Sequence, residues 1–89
     1  MILCAALRIK GTQTVIGCCR HGDGYSALHD LKPEIGMAQV EEGFLTDKGD
    51  FIDRTAAFDH AWGIGQLSST TYITKHQNKE TELYSEDLW

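Results

Sequence analysis

The sequence has little positive charge, no long apolar run and no repeat or low-complexity tract. Its 89 residues include eight Lys and Arg but 13 Asp and Glu, which gives a net charge of −5. Because proteins that contact nucleic-acid phosphates present a basic face, this balance argues against a general nucleic-acid-binding protein. It leaves room for a local positive pocket that takes a small anion.

The apolar segments are short. Met1 to Leu7 is apolar, but it is too short to hold the charged and apolar regions of a signal peptide. No run approaches the length of a membrane-spanning helix. We therefore expect a protein without a membrane partner, located in the cytoplasm.

Cysteine is scarce, and there is one proline. Cys4, Cys18 and Cys19 are an odd number with no Cys-x-x-Cys spacing, which is typical of reduced thiols in a cytosolic protein. Adjacent cysteines on a strand point to opposite faces, so Cys18 and Cys19 would not bind one metal ion together. We expect no metal site and no cofactor, and interpret the thiols as buried and unreactive.

The composition is that of an ordinary globular chain, with 42% hydrophobic and 24% charged residues. No linker is visible, and the length suits one small domain over residues 1–89. A chain this short buries a modest core, so we expect a homo-oligomer in which partner subunits add to it.

The first part of the chain predicts two strands and a helix. Ile2 to Ile9 and Thr14 to Cys19 are apolar and flank the turn signal Lys10-Gly11, so we expect an antiparallel pair. Asp23 is a candidate helix cap before Tyr25 to Leu31.

The second part predicts a hairpin, a helix and a short strand. Gln39 to Thr46 and Asp50 to Ile52 flank a turn, and Asp53 caps a helix over Thr55 to Gln66. Tyr72 to Thr74 is predicted as an edge strand, and the aromatic C-terminal segment is expected to dock on the core. The predicted fold is α+β, with a small, mainly antiparallel sheet of about four strands and two helices on one face.

The segment between the second strand and the first helix carries the strongest functional signal. A strand that ends in Arg20 and His21 and then opens a helix is typical of an anion site, because free amides and a guanidinium meet there. Arg54 opens the second helix and could reach the same ligand. The candidate ligand-binding residues are Arg20, His21, Gly22, Asp23, Gly24, Tyr25 and Arg54.

Other interpretations of these residues stay open. Arg20 and His21 could be a solvent-facing pair at a strand end, and Arg54 could form a surface ion pair with a nearby aspartate. The triplet Arg-His-Gly resembles the signature of the histidine phosphatases, in which the histidine is phosphorylated. That resemblance implies His21 as the nucleophile, but it covers three residues of a family whose domain is about twice this length or more.

Three segments together resemble a family of small proteins encoded by tailed bacteriophages and prophages. Residues 17–31 carry an Arg-His-x-Asp pattern between strand and helix, and residues 43–54 read Gly-Phe-Leu-Thr-x-x-Gly-x-Phe-x-Asp-Arg. Residues 83–89 read Leu-Tyr-Ser-Glu-Asp-Leu-Trp. The resemblance implies a phage gene product that acts in the cytoplasm of a bacterial host.

The leading hypothesis is a phage accessory, anti-defence protein that sequesters a phosphorylated, nucleotide-like small molecule without turning it over. Arg20 and the helix start would hold the phosphate, and a tyrosine or tryptophan would stack on the base. One alternative is an inhibitor that docks on a host enzyme through its acidic surface. Another is a small phosphoesterase or lyase that uses His21 as its nucleophile or base.

Overall fold

Four strands form one antiparallel sheet. The structure, a computed structural model, describes the backbone of residues 1–89 and every side chain except that of Met37. The strands are β1 (Ile2–Ile9), β2 (Val15–Cys18), β3 (Val40–Thr46) and β4 (Phe51–Asp53). Their order in the sheet is β2-β1-β3-β4, and each neighbouring pair is antiparallel.

Three α-helices accompany the sheet. They are α1 (His21–Leu31), α2 (Arg54–Gly63) and α3 (Ser69–Gln77). Short 3-10 helices span Met37–Gln39 and Ser85–Asp87. The α+β class and the four-stranded antiparallel sheet are thereby confirmed.

Both hairpin turns lie where the sequence predicts them. Gly11 in the β1–β2 turn has φ +75°, and Gly49 in the β3–β4 turn has φ +82°. This left-handed conformation is strained for other residues, so glycine suits both positions. The Ile9 amide donates to the Thr14 carbonyl at 3.1 Å and so closes the first turn.

The core lies on one face of the sheet, between the strands and the first two helices. Ala5 and Leu7 of β1 and Phe44 of β3 are at most 1% exposed on that face. Helix α1 packs Leu28 against Leu7, and α2 packs Phe58 into the cluster around Phe44. Each large apolar side chain that is fully buried contributes roughly 1.5–3 kcal/mol to the free energy of unfolding. The placement of α1 and α2 on one face is as predicted.

Helix α3 corrects the predicted edge strand at Tyr72 to Thr74. Ser68 is the N-cap of α3, and its side-chain oxygen accepts a hydrogen bond from the Thr71 amide at 3.1 Å. The Tyr72 ring stacks on Trp62 of α2, with 4.0 Å between ring centroids. A run of aromatic and β-branched residues is typical of a strand, but the cap and the packing against α2 favour a helix here.

Two helix boundaries also differ from the prediction. Helix α1 begins at His21, with Arg20 at the N-cap position, so Asp23 lies inside the first turn and is not the cap. Helix α2 ends at Gly63 instead of Gln66, and the Gln66 amide bonds back to the Ala61 carbonyl at 2.8 Å. The predicted cap of α2 is confirmed, because Asp53 accepts a hydrogen bond from the amide three residues later.

The C-terminal segment docks on the core, as predicted. Leu83 is fully buried in the main cluster, and the Trp89 ring lies 6.3 Å from that of Phe44. The buried Lys75 ammonium of α3 lies 2.9 Å from the Asp87 carboxylate. The segment therefore forms part of the folded unit, held by apolar and ionic contacts.

Candidate functional site

The predicted site residues lie where β2 passes into α1 and where α2 begins. The amides of Asp23 and Gly24 donate to the Arg20 carbonyl at 3.1 and 3.2 Å, which closes the first turn of α1. The amides of His21 and Gly22 have no acceptor among the described residues. The first turn of α1 therefore presents two available donors beside Arg20, with the positive end of the helix dipole.

His21 is buried instead of facing solvent. It is 7% exposed, its Nε2 lies 2.8 Å from the Gly43 carbonyl oxygen, and its Nδ1 lies 3.3 Å from an Arg54 Nη2. A carbonyl only accepts and a guanidinium only donates, so the proton belongs on Nε2 and Nδ1 is an acceptor. Burial lowers the pKa of His21, and the positive charge of Arg54 lowers it further. The imidazole is therefore neutral at physiological pH.

Arg54 connects His21 to a carboxylate and to the C-terminal segment. Its Nη2 pairs with Glu42 of β3, and its Nη1 donates to the Leu83 carbonyl at 2.7 Å. The ring of Tyr84 lies 4.6 Å from the guanidinium carbon. Arg54 thus holds a fixed position inside the protein, and the surface ion pair with an aspartate that its sequence position also allowed is not formed in this network.

Tyr25 completes the group by donating its hydroxyl to Glu42 at 2.9 Å. Burial raises the pKa of Tyr25 to about 12, and the adjacent carboxylate acts in the same direction. Burial acts to raise the pKa of Glu42, but the hydrogen bonds from Arg54 and Tyr25 outweigh it, and the net shift is downward. We call His21, Tyr25, Glu42 and Arg54 the buried polar cluster, in which His21 is buried and the other three residues are partly buried.

Glu42 is the member of this cluster that sequence reasoning missed. Its register partner on β1 is Leu7, and it lies two residues before Phe44, so it belongs to the helix-covered face of the sheet. A carboxylate at an inward-facing strand position needs a partner, because an unpaired buried charge is costly. The alternation of inward-facing and outward-facing residues along β3 was therefore a signal that could have identified Glu42.

Arg20 lies outside the buried polar cluster. Its Nη2 donates to the main-chain oxygen of Trp89 at 2.5 Å, and its Nη1 lies 4.0 Å from the Glu86 carboxylate. The side chain is 47% exposed. Arg20 also lines a hollow of about 320 Å³, which we call the Arg20 hollow; its other lining residues are Leu3, Cys4, Cys19 and Trp89.

The two glycines of the segment differ in their surroundings. A Cβ atom at Gly24 would lie 2.8 Å from the Cys18 Sγ and 3.0 Å from a Leu7 methyl carbon. Nothing lies within 4 Å of a Cβ at Gly22, which is exposed, as is Asp23. Gly24 is therefore the point where α1 approaches the strands closely, whereas Gly22 and Asp23 face solvent.

Apart from Gly22 and Asp23, which face solvent, the structure divides the predicted residues into three groups. His21, Tyr25 and Arg54 meet in the buried polar cluster, Arg20 lines the hollow beside the C-terminal segment, and Gly24 packs α1 on the sheet. The three cysteines differ too: Cys4 and Cys18 are half-buried, but Cys19 is exposed, which corrects the expectation that all three are buried. Burial raises the pKa of Cys18.

Two further observations concern metals and membranes. Among the described side chains, no group of three or more His, Cys, Asp and Glu residues is placed to hold a metal ion. Within the part of the chain that the structure covers, none of the helices has both the length and the apolar character needed to cross a bilayer.

Comparison with known families gives a match that extends over the whole chain. Residues 1–89 match the family model described as the phage T4 y16D protein, and the chain belongs to that family. Searches of curated proteins and of solved structures return no significant match. The family match confirms the bacteriophage resemblance seen in the sequence.

Proposed function

We propose that this chain, as a member of the phage T4 y16D protein family, is an accessory protein that binds a phosphorylated, nucleotide-like small molecule in the Arg20 hollow. It would act in the host cytoplasm and sequester the molecule without turnover. The observation that carries the proposal is the pairing of a half-exposed guanidinium with an exposed indole, Arg20 with Trp89, in one hollow.

Arg20 is suited to an incoming anion. Its present partners are a main-chain oxygen of Trp89 and, at 4.0 Å, the exposed carboxylate of Glu86. A phosphate offers the guanidinium two charged oxygens at once, so both of its outer nitrogens can donate to one ligand. The two available amides at the start of α1 belong to His21 and Gly22, which follow Arg20 in the chain but do not line the hollow.

The rest of the Arg20 hollow suits a planar ring. Trp89 is 44% exposed and offers a face for stacking, while Leu3 and the two thiols make the remaining wall largely apolar. A volume of about 320 Å³ lies at the lower end of the range of roughly 300–1,000 Å³ for small-molecule pockets. These properties favour a mononucleotide-sized portion of the ligand.

The position of His21 supports binding without turnover. A histidine nucleophile needs an accessible nitrogen lone pair, but both ring nitrogens of His21 are engaged and the residue is 7% exposed. The Arg20 hollow contains no imidazole among its lining residues. Catalysis through the His21 Nδ1 lone pair would require that nitrogen to leave Arg54 and become accessible to the ligand.

Isothermal titration calorimetry against cyclic dinucleotides, cyclic trinucleotides and ADP-ribose derivatives tests the proposal. Wild-type protein is expected to give saturable heat with at least one of them, and Arg20→Ala is expected to abolish it. Lys10→Ala is the matched control, because it removes one positive charge from an exposed position in the β1–β2 turn.

The same mixtures, separated by chromatography after long incubation, test turnover. Intact ligand is the expected result, and product formation that is lost in His21→Gln would establish the enzymatic alternative. Absence of heat with every ligand, or equal heat from wild type and Arg20→Ala, would refute a binding site at Arg20.

A further inference from the structure

The β1–β2 ladder ends at the pair Ala5 and Cys18, and the residues one step beyond it are Cys4 and Cys19. The register pairs Ala5 with Cys18 and Ala6 with Gly17, so the next pair in the same register is Cys4 with Cys19. Directly opposed residues of antiparallel strands have Cα atoms about 4.5–5.5 Å apart. That spacing lies inside the range of about 4.4–6.8 Å that disulfides span.

Side-chain positions agree with this register. The Cys4 Sγ lies over β2, because a Cβ atom built on Gly17 would be 3.3 Å from it. Cys19 follows β2 directly and is two residues from Gly17, so strand alternation continued through it places both residues on one side of the sheet. Cys4 and Cys19 also line the same hollow. The two thiols therefore share one face and one cavity.

The third cysteine is directed elsewhere. The Cys18 Sγ would lie 2.8 Å from a Cβ on Gly24, which places it under α1 on the helix-covered face. It is half-buried, whereas Cys19 is exposed. A small reagent in solution therefore reaches Cys19 before it reaches Cys18.

We propose that Cys4 and Cys19 form a dithiol site that reacts with small disulfides and closes into a cross-strand disulfide. This inference does not rest on the proposed function, although both thiols line the Arg20 hollow in which the ligand is proposed to bind. The exposed Cys19 thiolate attacks one sulfur of the small disulfide, the S–S bond of the reagent breaks, and one thiol leaves. Cys4 then attacks the Cys19 sulfur, and the second thiol leaves. Two protein thiols are oxidised, and the reagent is reduced to two thiols.

Oxidised glutathione is the probe, and intact mass together with tryptic mapping is the readout. Cleavage after Arg8, Lys10 and Arg20 separates Cys4, in residues 1–8, from the other two cysteines, in residues 11–20. The full chain is used as wild type and as Cys18→Ala, Cys4→Ala and Cys19→Ala variants. Cys18→Ala is the matched control, because it removes the thiol that the proposal leaves unused.

Wild type and Cys18→Ala are expected to lose two hydrogen masses and to give a peptide pair, 1–8 joined to 11–20. Cys4→Ala is expected to stop at one bound glutathione on Cys19, and Cys19→Ala is expected to lose the closed form completely. Fragmentation of the wild-type peptide pair identifies the linked sulfur, so the test does not depend on folding of any variant.

Several results would overturn the proposal. They are a wild-type cross-link through Cys18, a cross-link only between two chains, and retention of glutathione by Cys18→Ala without closure. The proposal would also be overturned if the protein thiols stay reduced under conditions in which oxidised glutathione modifies the cysteine of a control peptide.

Discussion

His21 is held as a neutral side chain, and this has a consequence for stability. Burial, followed by the charge of Arg54, lowers its pKa from the ordinary value of 6.5 in the folded state. Below pH 6.5 the unfolded chain therefore binds more protons than the folded one, so acid favours unfolding. The stabilising contribution is complete above pH 6.5 and is lost as the pH falls towards the lowered pKa.

Urea unfolding at a series of pH values tests this expectation. The free energy of unfolding of wild type is expected to decline between pH 6.5 and 4.5, before most carboxylates titrate. His21→Gln, which keeps a side-chain donor for the Gly43 carbonyl, is expected to give a flatter profile over that interval. Parallel profiles for the two proteins would show that His21 is not buried in its neutral form.

Glu42 also contributes to stability, and this contribution is likewise lost as the pH falls. Its net pKa lies below the ordinary value of 4.5, because hydrogen bonds from Arg54 and Tyr25 outweigh the effect of burial. The stability that it contributes is present above pH 4.5 and is lost as the pH falls through its lowered pKa. The loss of stability due to His21 therefore begins at a higher pH than the loss due to Glu42.

Individual residues also show where sequence reasoning stops. The caps and turns are local, so Asp53, Gly11 and Gly49 could be assigned from their neighbours alone. The buried polar cluster joins residues that are 12 to 33 positions apart, and no local pattern encodes such a contact. His21 and Arg54 could therefore be chosen as candidates, but not as partners of each other.

At the level of secondary structure, the contact between α1 and the sheet depends on one glycine. Gly24→Ala would place a methyl group 2.8 Å from the Cys18 Sγ and 3.0 Å from a Leu7 methyl carbon. Because Leu7 is fully buried, α1 must shift, and we expect a destabilisation of about 1–2 kcal/mol.

Gly22→Ala in the same helix is the control. Nothing lies within 4 Å of its new methyl group, and alanine has the higher helix propensity, so the variant is expected to be neutral or more stable by about 0.5 kcal/mol. Denaturant midpoints of the two variants measure the difference. Equal midpoints would contradict the close approach of α1 to β1 and β2.

Helix α3 shows why element type was harder to predict than element position. Tyr72, Ile73 and Thr74 have the composition of a strand, and only the Ser68 cap points to a helix. The stacking of Tyr72 on Trp62 and Phe58 of α2 is tertiary, and it is absent from any local window. The β1–β2 and β3–β4 hairpins, in contrast, carry both their strand pattern and their turn residues in one short segment.

At the scale of the whole molecule, Arg54 and Arg20 have different roles. Arg54 joins β3, α1 and the C-terminal segment through Glu42, His21 and Leu83. Arg54→Ala leaves the half-buried carboxylate of Glu42 without its ionic partner, and we expect it to lower the free energy of unfolding by about 2–4 kcal/mol.

Arg20→Ala removes a half-exposed side chain, and we expect it to change the free energy of unfolding by no more than about 1 kcal/mol. Denaturant unfolding of the two variants separates a structural arginine from one available for a ligand. A large loss of stability in Arg20→Ala would mean that its contacts with the C-terminal segment are structural and would weaken the case for a site there.

The most direct test of the central claim is ligand-dependent fluorescence of Trp89. The chain has two tryptophans, so Trp62→Phe leaves Trp89 as the sole indole and keeps an aromatic ring against Tyr72. This variant is titrated with the ligand that gives heat in calorimetry. The Trp89 emission is expected to change saturably over the same concentrations. Arg20→Ala in the Trp62→Phe background is expected to abolish that change. Unaltered Trp89 emission at ligand saturation would contradict a site in the Arg20 hollow.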